Sequence, residues 1–153
     1  MELKELKGML ETTREALESS LDRIHWRAGE LVVDYQDFHF KENKERKNWE
    51  DKSQISLKTK RRGTSIGIWW VKLKWSGVSG KRQCYTREFK KPRGKFEYDL
   101  ENVLTEAQNW EKEKIRSVEA EAAQLRLMAA IVSEQLLKIV KNLKKIEKYH
   151  GQD

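Results

Sequence analysis

The apolar positions of this chain follow two different rhythms. Leu3, Leu10, Leu17, Ile24, Leu31 and Phe38 recur every seven residues, and Leu6, Leu21, Ala28 and Tyr35 supply a second column. That narrow seam is the pattern of a coiled-coil helix rather than the broad face of a globular one. It predicts a long helix within residues 1–53. Between Ile24 and Phe40 the apolar set spreads to other sides through Trp26, Val32 and Val33, so more than a single partner helix must cover that stretch. Gly29 lies inside the pattern and costs about 1 kcal/mol relative to alanine, so a local irregularity is expected there. A second run steps by four and three through Val118, Ala122, Leu125, Ala129, Val132, Leu136, Ile139, Leu143 and Ile146. With Asp99 as N-cap and Tyr98 and Val103 in staple positions, it predicts a second long helix over 97–150.

Between the helices the period falls to two. Ile66 to Trp75 alternates and is rich in β-branched and aromatic residues, which predicts a strand. One face carries Trp69, Val71, Leu73 and Trp75; the other carries Ile66, Ile68, Trp70, Lys72 and Lys74. The first is expected to be the inner face and the second the outer, with Trp69 and Trp75 in the core. Ser76 to Gly80 is a turn signal, and a second strand follows at about Lys81–Lys90, ended by Pro92-Arg93-Gly94. A third strand near Ile55–Lys60, turning at Arg62-Gly63, is a weaker expectation. The predicted fold is therefore α+β and mainly α: two long coiled-coil-like helices flanking a small antiparallel hairpin or meander over 54–96, in one elongated domain.

Composition supports this shape. Charged and apolar residues each make up 37% of the 153 residues, too polar for a large round core but sufficient for helices with narrow stripes. Six tryptophans and a single proline argue against disorder. No stretch approaches the ~20 consecutive apolar residues that span a bilayer, and the start lacks the pattern of a signal peptide. Cys84 is the only cysteine, which excludes an intrachain disulfide and suggests a reducing, cytoplasmic setting.

Charge changes the picture most. Residues 58–95 carry 13 basic side chains and one acid, Glu88, a balance of +12; the flanks carry −3 and −2, giving the total of +7. The candidate nucleic-acid-binding residues are Lys58, Lys60, Arg61, Arg62, Lys72, Lys74, Lys81, Arg82, Arg87, Lys90, Lys91, Arg93 and Lys95. Such a concentrated field attracts a polyanion, and a two-stranded ribbon fits a major groove. Trp70, expected beside the lysines, is a candidate for stacking on a base. A solvated strand edge would tolerate interspersed acids, and almost none are present.

Candidate chemistry is otherwise thin. His25, His39 and His150 are far apart in the sequence, so no metal or cofactor is expected. Cys84 lies near Arg82 and Arg87, but a buried or incidental thiol is the preferred reading. Gly77-Val78-Ser79-Gly80-Lys81 has the wrong spacing for a P-loop and joins strands rather than the helices of a KH clamp. The chain is not expected to be an enzyme.

Arg61-Arg62-Gly63-Thr64-Ser65, then Ile68 and Trp70, the basic strand through Arg87, Lys90 and Lys91, and Tyr98 resemble the MobI-type auxiliary proteins of integrative conjugative elements and related plasmids. The likeness continues through Ala107 to Glu111, Glu119-Ala120-Glu121 and Leu125-Arg126, covering about residues 60–127. The resemblance implies a conjugation protein that acts at the origin of transfer and helps a relaxase, without nicking DNA itself. The expected partners are duplex DNA, the relaxase or other conjugation proteins, and a second copy through the long helices. Arg61, Arg62 and Arg87 are the expected base readers. A coiled-coil adaptor for an acidic protein and an RNA-binding chaperone are the alternatives.

Overall fold

The first heptad run is realised as one continuous helix, α1 (Leu3–Glu45), in a computed structural model that describes residues 1–150. Gly29 does not interrupt it; the glycine faces open space, so its cost is spread over a long, otherwise favourable helix. The second run is split. A short helix α2 (Leu100–Thr105) is capped by the Asp99 side chain accepting from the Glu101 amide, as the sequence predicts. A 3-10 turn at Asn109–Glu111 then leads into α3 (Lys112–His150). The restart is a capping box: the Gln108 side chain and the Glu111 carboxylate each satisfy the other's backbone amide.

α1 and α3 pack antiparallel. Arg27 pairs with Glu121 and Asp34 with Lys114, so the paired positions run in opposite directions. Leu21, Ile24, Ala28, Leu31 and Tyr35 of α1 meet Ile115, Val118, Ala122, Leu125, Ala129 and Leu136 of α3 in one buried cluster.

Three antiparallel strands lie across this pair in sequence order: β1 (Ile55–Arg62), β2 (Ser65–Ser76) and β3 (Gln83–Glu88). β1 and β2 join through Gly63-Thr64, with Gly63 at φ 59, the left-handed value a primed hairpin turn needs at its first central position. β1 packs on α1 and β2 on α3. The inner face carries Ile55, Leu57, Ile66, Ile68 and Trp70, all buried. This reverses the expected assignment of β2. Trp70 is wholly buried, edge-on to Tyr35 at 5.0 Å, and the indole N–H donates to Glu119 at 2.9 Å. It therefore cannot stack on a base. Trp69 is half-buried and Trp75 is 48% exposed, both on the opposite face with the buried Val71. Alternation alone offers two tryptophan-bearing faces. The helices decide between them by giving Trp70 a hydrogen-bond partner that Trp69 and Trp75 lack.

Beyond Val71 the β2–β3 hairpin leaves the body, and every residue of β3 is exposed, Cys84 among them. Gly77 is needed at its turn: φ is 103, and a Cβ there would stand 2.9 Å from the Lys81 carbonyl.

Candidate nucleic-acid interface

The register of β1 on β2 builds the site. Lys58 lies opposite Trp69, Lys60 opposite Gly67, and Arg62 opposite Ser65. Because side chains alternate along each strand, these six positions share the outer face. Three cations thus run in a row beside Trp69. The Trp69 ring lies back over Gly67, where a Cβ would meet it at 3.4 Å. The strand surface is flattened there to let the indole lie along it.

β3 stops pairing with β2 at Val71↔Glu88, so the edge of β2 from Ser65 to Trp69 is open on that side. The segment after β3 swings away and returns as the opposite wall of a cleft. Its volume is about 650 Å³, and Lys60, Arg62, Ile68, Trp69, Lys95 and Phe96 line it, with Glu88 its one acid. Lys91 also faces it, held by its ammonium donating to the carbonyls of Pro92 and Lys95.

The cleft floor is fixed by a buried ion pair on α3. Arg126 and Glu119 are 7% and 3% exposed and meet through two hydrogen bonds of 2.9 Å. Arg126 also donates to the carbonyls of Ile68 (2.9 Å) and Phe96 (2.7 Å), one on each wall. Glu119 accepts from the Trp70 indole and the Tyr98 amide, both at 2.9 Å. The guanidinium stacks over the Tyr98 ring, 4.9 Å from its centroid. Every charged oxygen has a donor, which is what makes such burial tolerable. Glu119 and Arg126 were legible only as parts of a family motif; nothing local in α3 marks them as buried.

The structure divides the predicted cations. Arg61 lies on the helix side and pairs with Asp22. Lys72 and Arg87 do likewise, and both grip Glu106 at the end of α2, at 3.2 and 2.5 Å. These three are partly neutralised. The other ten of the 13 (Lys58, Lys60, Arg62, Lys74, Lys81, Arg82, Lys90, Lys91, Arg93 and Lys95) make no ion pair among the described residues. Lys74, Lys81 and Arg82 project from the hairpin arm, Lys90 and Arg93 from the segment after it, all exposed.

Two further features lie away from the cleft. Trp26 (73%), Val33 (54%) and Phe40 (71%) are exposed at seven-residue spacing on α1, opposite the α3 seam. Glu111, 1% exposed, has one carboxylate oxygen without a partner, and burial pushes its carboxyl up to about 7, against the opposing pull of Ser53, Gln108 and Arg46. His39 nearby is lowered by burial and hydrogen-bonded to Asn43. Among the described residues no group of three or more His, Cys, Asp or Glu side chains is placed to hold a metal ion, and no helix is long and apolar enough to cross a membrane.

The family model described as MobI protein matches residues 24–140, about three quarters of the chain. The match takes in the second half of α1, the whole meander and cleft, and α3 past Leu136. Comparison with curated proteins and with solved structures returns no significant match.

Proposed function

The chain belongs to the MobI family, and from that membership we propose that this conjugation-related accessory protein binds origin-of-transfer DNA through the outer face of its meander and helps recruit the relaxase. One observation carries the reading: Lys58, Lys60 and Arg62, without ion-pair partners, run in a row along an aromatic cleft that is further edged by Lys91 and Lys95. Phosphates displace counterions at such a row, which supplies affinity without sequence preference. Base reading then falls to Arg62, since Arg61 and Arg87 are held by Asp22 and Glu106. The hairpin arm, with Lys74, Lys81 and Arg82, extends the contact along the duplex.

The helices take the other roles. The Trp26, Val33 and Phe40 stripe is proposed as the homodimer contact, in the cytoplasm where the origin DNA resides. Of the four carboxylates beside it, Asp22, Glu30 and Asp34 are already paired with Arg61, Arg27 and Lys114, and only Asp37 makes no ion pair among the described residues, which lowers the repulsion between two copies.

The test is the salt dependence of binding to duplex DNA. Each phosphate contact contributes about −0.9 to the slope of log K against log salt. Replacing Lys58, Lys60 and Arg62 together by alanine is expected to flatten that slope by about 2 to 3 units. An unchanged slope moves the interface off the outer face.

A further inference from the structure

We infer that the cleft between β2 and the 90–98 segment is a site for one unpaired nucleotide, its base stacked on Trp69 and its phosphate held by Lys60, Arg62 and Lys95; this rests on the DNA-binding reading above. The volume, about 650 Å³, lies within the range of small-molecule sites. Its lining combines the two things a nucleotide needs. Trp69 and Phe96 give aromatic surface, and Lys60, Arg62, Lys91 and Lys95 add cations without ion-pair partners among the described residues, while Arg126 on the floor is paired with Glu119.

A duplex can meet the cations but cannot stack a base on the aromatic surface. Inside a helix both faces of each base are already stacked, and only the grooves and the backbone are presented. Trp69 lies half-buried, packed back over Gly67 beside the row of Lys58, Lys60 and Arg62. A base reaches its π-face only after leaving the stack. The open edge of β2 adds backbone groups at Ile66 for a base edge, while the Ile68 carbonyl is already taken by Arg126. Arg126 holds both walls, through the carbonyls of Ile68 and Phe96. A surface meant only for duplex phosphates needs neither the recess nor the recessed aromatic ring.

The experiment compares three oligonucleotides by fluorescence anisotropy: a perfect duplex, the same duplex with one unpaired 2-aminopurine, and a short single strand. Wild-type protein is expected to bind the duplex with the unpaired base about tenfold tighter than the perfect one, with its 2-aminopurine emission quenched by stacking. Trp69→Leu keeps apolar volume but removes the indole, and is expected to lose about 5- to 150-fold on single strands, the range that base stacking spans. Its affinity for the perfect duplex should stay within about twofold, and Trp69→Phe should restore most of the loss. Equal affinity for the perfect and unpaired duplexes overturns the inference, as does an equal loss on all three ligands with Trp69→Leu. Steep, salt-dependent duplex binding without preference for the unpaired base sinks this inference alone; retention of no DNA in any form sinks the DNA-binding reading with it.

Discussion

Replacing Arg126 by methionine tests what holds the cleft together. The side chain makes four hydrogen bonds, two to Glu119 and one each to the carbonyls of Ile68 and Phe96. Methionine of similar length fills the space but offers no donor. Glu119, 3% exposed, is then left as a buried carboxylate with only the Trp70 and Tyr98 N–H groups for support. Removing one partner of such a pair costs about 3–5 kcal/mol, a large share of the 5–15 kcal/mol that usually holds a domain folded. Urea unfolding followed by far-ultraviolet dichroism gives the difference directly, provided the slope with denaturant is unchanged. The double variant Glu119→Leu with Arg126→Met has no stranded charge. It is expected to recover about half of the loss, because the indole and amide donors then lack an acceptor at about 1–3 kcal/mol each. Two results refute this reasoning. One is an Arg126→Met protein within 1 kcal/mol of wild type; the other is a double variant whose loss equals the sum of the singles, which means the two side chains do not act as a pair.

Three further outcomes follow from the structure. The Glu111 carboxyl stands at about 7 against an ordinary 4.5, so its contribution to stability is full below pH 4.5 and is lost as pH rises through 7, by at most about 3 kcal/mol; melting of Glu111→Gln from pH 5 to 8 should lack that decline. Glu106 neutralises both Lys72 and Arg87, so Glu106→Gln should tighten duplex binding and steepen its salt slope by about 1 to 2 units. Gly77→Ala puts a Cβ where φ is 103 and the Lys81 carbonyl lies 2.9 Å away; a strain of about 1–3 kcal/mol should speed amide exchange in Gln83–Glu88 while protection along α1 and α3 is unchanged.

The long helices were legible because a seven-residue apolar spacing has one structural solution, and the two runs needed each other. Their ends were less so. α1 stops at Glu45 rather than near residue 53, and the second helix breaks after Thr105. The Gln108–Glu111 capping box is the local signal that could have marked the restart. In the meander, the Gly63 turn and the strand order were readable from glycine and alternation. The facing of β2 was not, since tryptophans sit on both faces and the choice depends on Glu119, far away in sequence. The charge excess along 58–95 was readable directly from the sequence. Which cations remain available depended on Asp22 and Glu106, acids on other elements that no local pattern pairs with Arg61 or Arg87.

The hydrogen bond from Ser133 to Thr64 is the most distal of those tying the sheet to α3 among the described residues. Beyond it α3 continues for 17 residues to His150, about 26 Å of helix, matched by the start of α1, where no residue before Leu21 is buried. This end is a bare pair of helices extending from a two-layer body of helices and sheet. It has fewer contacts to break, so it is expected to open at a lower free energy than the body. Fraying of this end leaves the Arg126 tie between the two cleft walls untouched. The face proposed to hold DNA and the paired helix ends are thereby placed on parts of the molecule expected to open at different free energies.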